Sequence, residues 1–146
     1  MINIPPQIGE LLDKALADGV PCLVGTATKD GDPQISPKGS VARYDGHTLS
    51  YWERSNRSAV AHIKENPRVV VYFRNAGRAS EMPDYPGAAL RFHGKARIAD
   101  GPGEREKVWD LTIPAEQERD KEKKGVGVLI DVERVELLSG KAVMES

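Results

Sequence analysis

The sequence has very little of what several classes of protein require. It contains one cysteine, Cys22, in 146 residues, so it can form neither an internal disulfide nor a Cys-x-x-Cys metal motif. Apolar neighbours predict that Cys22 packs inside a strand rather than acting as a nucleophile. No apolar run approaches the roughly 18 residues that can cross a membrane, and the N-terminus has no signal-peptide pattern. We therefore expect a cytoplasmic protein with no membrane partner.

Charge of one sign and aromatic residues are also scarce. The chain has 21 Lys and Arg against 22 Asp and Glu, and only 5% of its residues are aromatic. A nucleic-acid-binding barrel needs a basic face with many aromatic rings, so no nucleic-acid partner is expected. His47, His62 and His93 have no partner at metal-ligand spacing, and no metal site is predicted. Glycine-rich phosphate loops and a Gly-x-Ser-x-Gly element are likewise missing.

The patterns that remain predict a single domain, residues 1–146, that is mainly β with a few helices. Six runs of β-branched or alternating apolar residues, separated by turn residues, predict an antiparallel barrel. Residues 74–87 contain Asn, Gly and Pro and predict a loop. The predicted strands are 21–28, 33–43, 49–52, 68–73, 88–99 and 125–138. The predicted helices are 8–16, a helix between the cap at 55 or 56 and the stop at 66–67, a helical region from 102–103 to 112, and a short helix that begins at 114.

The segment from Thr48 to Phe73 predicts a strand, a helix and a buried strand in succession. Ser55 or Asn56 is suited to cap the helix, whose unpaired N–H groups and dipole attract anions. Arg54 and Arg57 add guanidinium groups that match phosphate oxygens. The alternative is that both arginines lie on a solvated face.

A second informative segment is Ser36-Pro37-Lys38-Gly39-Ser40. Proline removes a ladder donor and glycine permits a close backbone approach, so the predicted strand 33–43 should break or lie at an edge here. The plain alternative is an irregular edge with a solvated lysine. Functionally, such a break offers backbone groups to a planar heterocycle, and Lys38 offers it a cation.

Taken together, these motifs resemble one family, the FMN-binding split-barrel proteins related to pyridoxamine 5′-phosphate oxidase. The shared features are a strand ending in Tyr51-Trp52, an arginine just past a helix cap, an Asn-Pro-Arg-Val helix stop and the Ser-Pro-Lys-Gly stretch. The resemblance implies a six-stranded antiparallel split β-barrel. It also implies an FMN-dependent oxidoreductase that acts on a small-molecule substrate as a homodimer, with the flavin at the subunit interface.

The resemblance also assigns residues. Arg57 matches the family's phosphate-binding arginine, whereas Ser58 stands where the oxidase has a phosphate-binding lysine, and Lys38 or Arg54 would have to substitute. Ala89 stands where the oxidase has a glutamine that reaches the partner's flavin. No catalytic residue is assigned. The predicted cofactor-binding residues are Ser36, Pro37, Lys38, Gly39, Ser40, Tyr51, Trp52, Arg54, Asn56, Arg57 and Ser58.

Several alternatives stay open at this point. The oxidase's C-terminal substrate signature, a Trp followed by Arg-Pro-x-Arg, is missing, which argues against oxidation of pyridoxine 5′-phosphate. The same fold could use the deazaflavin F420, or bind flavin or haem without turnover. Residues 88–98 and Trp109 are expected to reach the partner's flavin, the alternative for Trp109 being a core position on an amphipathic helix.

Overall fold

A computed structural model describes residues 1–55 and 58–146 of the chain. As the patterns predict, it is mainly β with helices, and every strand pair is antiparallel. The strands are β1 (Cys22–Ala27), β2 (Pro33–Lys38), β3 (Ala42–Asp45), β4 (Thr48–Glu53), β5 (Arg68–Arg74), β6 (Ala89–Ile98), β7 (Val126–Glu136) and β8 (Ala142–Glu145).

The described residues thus contain eight strands, and the prediction of six is wrong. One extra strand arises because the predicted strand 33–43 is divided at Gly39 and Ser40 into β2 and β3. This is the break that Pro37 and Gly39 indicate. The other is β8, a four-residue strand that pairs with the end of β7. Its four residues are too few to show a clear alternation of apolar and polar residues in the sequence.

The sheet is strongly curled. Its strand order is β2-β1-β5-β6-β7-β4-β3, which puts β2 and β3 at opposite ends of the path. Yet only three residues separate Lys38 from Ala42, so their Cα atoms lie at most about 15 Å apart. The two edges of the sheet must therefore approach each other, which bends the sheet into a half-barrel.

The apolar residues form two clusters on the two sides of this curl. The larger cluster includes Leu11, Tyr51, Val71 and Phe92 and fills the inside of the sheet. The smaller one joins Trp52 and Leu129 to helix-borne Val108, and these residues are the outer layer over β4 and β7. Since neighbouring residues of a strand point to opposite faces, Tyr51 and Trp52 belong to different clusters.

Four helices border the sheet within the described residues, at places that the sequence predicts. Proline at the first position of two of them suits a helix start, and Asn66-Pro67 ends the second helix as expected. Each helix is short, with no more than nine residues, and none has the length and apolar character needed to cross a bilayer. The helices are α1 (Pro6–Lys14), α2 (Ser58–Glu65), α3 (Glu104–Leu111) and α4 (Pro114–Gln117).

The predicted loop 74–87 contains two short 3-10 helices, Ala76–Glu81 and Pro86–Ala88. The first is tied to the turn that follows α1, because the Arg78 guanidinium and the Asn75 amide both donate to the Asp18 carboxylate. Side-chain hydrogen bonds between residues about 60 positions apart therefore order this segment, whose own sequence shows only turn residues.

Candidate functional site

The candidate site is a cavity of about 630 Å³ at the place where the sheet edges converge. Its walls come from the end of β2, the end of β4, the segment after α1 and the region of α4. Pockets that hold small molecules commonly have volumes of roughly 300–1,000 Å³. The lining residues are Leu16, Pro21, Pro37, Lys38, Gly39, Trp52, Glu53, Arg54, Ser55, Glu116 and Arg119.

An ion pair crosses the base of this cavity. Lys38 Nζ lies 2.6 Å from Glu53 Oε2, and both side chains are largely buried. The hydroxyl of Ser55 donates to Glu53 Oε1 at 2.8 Å, and the Ser55 N–H donates to the same oxygen at 3.3 Å. Burial favours a higher pKa for Glu53, but Lys38 and Ser55 outweigh it and hold the pKa of this carboxyl below its usual value.

A second carboxylate, Glu116, also lines the cavity and is only 7% exposed. Its nearest cation is Arg119, with Nη1 at 3.5 Å from Oε2. Within residues 1–55 and 58–146, Oε2 has no hydrogen-bond partner. Gly39 lies against the same carboxylate, because a Cβ there would come within 3.0 Å of Glu116 Oε1 and of Leu16 Cδ2. Glycine at this position therefore allows the end of β2 to approach α4.

Trp52 is held from both sides. The Ser40 hydroxyl accepts from the Trp52 backbone N–H at 3.0 Å and lies 3.2 Å from its carbonyl oxygen. The indole Nε1 donates to Asp120 Oδ2 at 2.8 Å, and Trp109 packs edge-on against the ring with a centroid separation of 4.8 Å. The Trp52 wall of the cavity is consequently rigid and tied to the segment after α4.

The structure brings together only some of the predicted cofactor-binding residues. Pro37, Lys38, Gly39, Trp52 and Arg54 line the cavity. Ser36 lies within β2 beside Val24, Ser40 is buried behind Trp52, and the Tyr51 ring lies in the larger apolar cluster, so these three are not among the lining residues. Ser58 is the first residue of α2. Asn56 and Arg57 lie outside the described residues.

Sequence reasoning missed the two carboxylates and Arg119. Glu53 directly follows Tyr51-Trp52 and reads as a strand-end residue, while Glu116 and Arg119 belong to a charged run that predicts an exposed helix. That prediction is wrong for Glu116, which is buried on α4 and lines the cavity. A buried glutamate in a helix of Glu, Arg and Lys has no local sequence signal.

The charges of the cavity are mixed rather than uniformly basic. Glu53 neutralises the charge of Lys38 at short distance, and Arg119 is the cation beside Glu116. In the described part of the chain, Arg54 has no ion-pair or side-chain hydrogen-bond partner. Chemically, the cavity offers a cation for an anion at its Arg54 end and an acceptor for an N–H or O–H donor at its Glu116 end.

Other titratable groups lie apart from this cavity. His93 and Arg91 on β6 both contact Glu136 Oε1, at 2.8 and 2.7 Å. The hydrogen bond from Arg91 is the largest contribution, and the one with His93 the next largest, to a pKa of Glu136 that is lowered to about 2. Burial raises the pKa of the Cys22 thiol to about 12, as suits a packing residue rather than a nucleophile. Among the described residues, no three His, Cys, Asp or Glu side chains are grouped as metal ligands.

Comparison with known proteins gives the same fold and a family. A family model described as "Pyridoxamine 5'-phosphate oxidase" matches residues 8–139. No curated protein sequence matches the chain.

Several solved structures are similar in fold. HupZ of Group A Streptococcus has 24% identity, covers 95% of this chain and 97% of its own, and gives a TM-score of 0.63. General Stress Protein 26 of Bacillus anthracis has 14% identity, coverages of 94% and 99%, and a TM-score of 0.64. An F420 reductase has 22% identity, coverages of 79% and 87%, and a TM-score of 0.54.

Proposed function

The chain belongs to the pyridoxamine 5′-phosphate oxidase family, and we propose that it is an FMN-binding oxidoreductase of the split-barrel type that acts on a small-molecule substrate as a homodimer. The observation that carries this proposal is the cavity of about 630 Å³ at the ends of β2 and β4. Two motifs of the resemblance, Pro37-Lys38-Gly39 and Trp52 with Arg54, line it together.

The residues present fit a flavin mononucleotide in size and in donor chemistry. Arg54 supplies a cation for the phosphate. Pro37, Trp52 and Leu16 supply apolar surface for a planar ring. Lys38 is a poorer phosphate ligand, because Glu53 already neutralises it. Of the two substitutes that the resemblance requires for the missing lysine, Arg54 is therefore the better one.

FMN would supply the hydride chemistry, and the chain binds and orients it. The Lys38–Glu53 pair keeps the two strand ends at a constant separation, so the cavity stays open. Ser40 and Asp120 hold Trp52 in one position. The backbone at Gly39, just past β2, approaches Glu116 and Leu16 closely because no side chain intervenes.

A second copy of the chain would complete the site. Exposed residues on the outer sheet face support this proposal: Ile35 exposes 70% of its surface and Leu23 36%. Ile35 lines a shallow cavity of about 520 Å³ together with Val70 and His93. Covering this apolar area removes it from water, which favours association. A twofold dimer would use the same patch on both copies. The single buried cysteine supports a reducing, cytoplasmic location.

Two alternatives for the cofactor remain part of the proposal. The similarity to an F420 reductase favours F420 as the alternative cofactor, although that similarity shows a shared fold alone. Haem or flavin binding without turnover is the non-enzymatic alternative. The phosphate-binding end at Arg54 suits both phosphate-bearing cofactors, FMN and F420, and is not needed for haem.

The absorption spectrum of freshly purified protein, combined with mass spectrometry of the released ligand, tests the proposal. We expect flavin absorption bands at about 450 nm and a released ligand with the mass of FMN. If the purified protein is colourless, titration with FMN followed by flavin fluorescence quenching takes its place. Release of F420 or haem, or no saturable FMN binding, would overturn the cofactor assignment.

A further inference from the structure

Lys38 is the member of the Lys38–Glu53 ion pair that a ligand in the cavity can reach. The Lys38 side chain keeps 18% of its surface exposed, whereas the Glu53 side chain keeps 4%, with 2.6 Å between Nζ and Oε2. Both residues line the cavity. The ammonium is therefore the end of the pair that meets a ligand, and the carboxylate lies deeper in the base.

The ammonium has more hydrogen-bond donors than the pair uses. It carries three N–H groups, and Glu53 Oε2 is close enough to accept from one of them. Within residues 1–55 and 58–146, Glu53 is the sole ion-pair partner of Lys38, and the centre of the Tyr51 ring is 5.9 Å from Nζ, at the limit of a cation–π contact. A carbonyl oxygen of a ligand would accept from a remaining N–H group.

Glu53 keeps its negative charge at neutral pH. Burial favours the neutral acid, but Lys38 and the Ser55 hydroxyl and N–H outweigh it, so the pKa of Glu53 stays below its usual value. The opposite charges of the pair largely cancel at any point beyond its immediate neighbourhood. Removal of either charge would leave a ligand in the cavity in the full field of the other.

A flavin ring changes its charge when it is reduced. The oxidised ring is neutral and the reduced ring is largely anionic at neutral pH, so a nearby cation favours the reduced form and a nearby anion opposes it. A difference in affinity between the two redox states is a shift in reduction potential. Pro37 and Trp52, which offer apolar surface to the ring, line the same cavity as the ion pair. The net charge of the pair therefore acts on the ring.

We propose that the Lys38–Glu53 pair determines the reduction potential of the bound flavin, because Lys38 donates to a carbonyl oxygen of the ring while Glu53 cancels the charge of Lys38. The inference rests on the proposed function, since it requires a flavin in this cavity. Glu53 is a positioning residue that acts on the ring through Lys38. A donor thus reaches the ring without the rise in potential that an unpaired cation would cause.

Reduction potentials of the full chain loaded with FMN, measured by dithionite titration against a reference dye, test the proposal. Glu53→Gln leaves the Lys38 charge unpaired and should raise the affinity ratio of reduced over oxidised FMN about tenfold, or about 30 mV for a two-electron couple. Lys38→Met leaves the carboxylate unpaired and should lower this ratio, at pH 8, which favours the ionised acid. The double variant Lys38→Met, Glu53→Gln carries neither charge and should have a potential close to that of the wild type.

Opposite shifts in the two single variants are a result that a merely structural role would not produce. Glu106→Gln, which removes an exposed charge outside this cavity, is the control and should leave the potential unchanged. Shifts of the same sign, or no shift, in variants with native circular dichroism would overturn the proposal. If one single variant does not fold, the other is compared with the double variant, and equal potentials in these two would likewise overturn it.

Titration with FMN, followed by fluorescence quenching, separates this inference from the proposed function. If the wild type and the variants bind FMN saturably and the potentials do not respond to the charges, the inference fails and the proposed function stands. If none of the proteins binds FMN saturably, the proposed function fails and the inference fails with it.

Discussion

Lys38 and Glu53, the last residues of β2 and β4, form an ion pair with 2.6 Å between Nζ and Oε2. β2 is the edge of the sheet on one side, and β4 lies next to the edge on the other. The pair therefore links two strands that share no ladder hydrogen bonds, at the point where the half-barrel comes nearest to closing. It also sets the base of the candidate site.

The first prediction concerns the stability of this link. Glu53→Gln should lower the free energy of unfolding by about 1–3 kcal/mol, because it leaves the partly buried Lys38 ammonium without its partner. Urea unfolding followed by tryptophan fluorescence measures the change. In the double variant Lys38→Met, Glu53→Gln, much of the loss should be recovered, since no unpaired charge remains. Additive losses would mean that the two side chains do not interact.

The second prediction is a dependence of stability on acid pH. In the folded chain the hydrogen bond from Arg91, and to a smaller extent the one with His93, lowers the pKa of Glu136 to about 2. The pKa of a glutamate in the unfolded chain is roughly 4.3. The contribution of Glu136 to stability is therefore fully present above about pH 4.3 and is lost as the pH falls toward 2. Unfolding by urea between pH 6 and pH 2.5 should show this loss, and Glu136→Gln should remove part of it. Glu106→Gln, at an exposed position, is the control and should leave the pH profile unchanged.

The third prediction concerns the phosphate end of the site. By the family resemblance, Arg57→Ala should weaken FMN binding by about 10- to 150-fold, the loss of one charge-assisted hydrogen bond. Arg54→Ala should also weaken it, because Arg54 lines the cavity without an ion-pair partner in the described residues. Lys64→Ala, at the exposed far end of α2, is the matched control. Fluorescence quenching measures all three, and wild-type affinity in Arg57→Ala would remove that residue from the site.

The fourth prediction concerns the reaction. The C-terminal substrate signature of the oxidase, a Trp followed by Arg-Pro-x-Arg, is missing from this sequence. Purified protein supplied with FMN should consequently not oxidise pyridoxine or pyridoxamine 5′-phosphate above background. Absorbance of pyridoxal phosphate and oxygen uptake are the measurements. Robust, enzyme-dependent product formation would restore the oxidase activity to this chain.

The fifth prediction is the assembly. Light scattering at micromolar concentration should give twice the 16.0 kDa mass of one chain. Ile35→Glu should shift the protein toward monomer and weaken FMN binding with it, because a charge would enter the proposed apolar contact. Ser139→Glu is a control at an exposed turn outside that face. A monomer that still binds FMN tightly would show that one chain builds the whole site.

The family resemblance predicts that Trp109 contacts the partner's flavin, and this contact stays a prediction. Within its own chain Trp109 packs against Trp52 and lies under Lys123, whose Nζ is 5.0 Å from the ring centre. Much of its apolar surface is therefore used in the outer cluster, as the alternative of a packed position on an amphipathic helix suggests.

The sequence by itself determined the local elements of this protein. Alternation along 88–99, the turn at Asp30-Gly31, the helix stop at Asn66-Pro67 and the break near Gly39 all depend on neighbouring residues, and each is found where the pattern predicts it. The structure adds one more local effect of a residue type, at Gly94. The ladder between β6 and β7 shifts register at His93 and Gly94, and a Cβ on Gly94 would overlap the Asp131 carbonyl.

Only the tertiary structure decided which residues meet at the site. Lys38 looked like a free cation, and Glu116 looked like one charge in an exposed helix, because a local pattern carries no information on partners distant in sequence. The curl of the sheet brings the end of β2 to the end of β4, and Glu116 of α4 lies against Gly39, just past β2. Charge pairing and burial depend on these long-range distances, so the balance of cations and carboxylates in the cavity follows from packing.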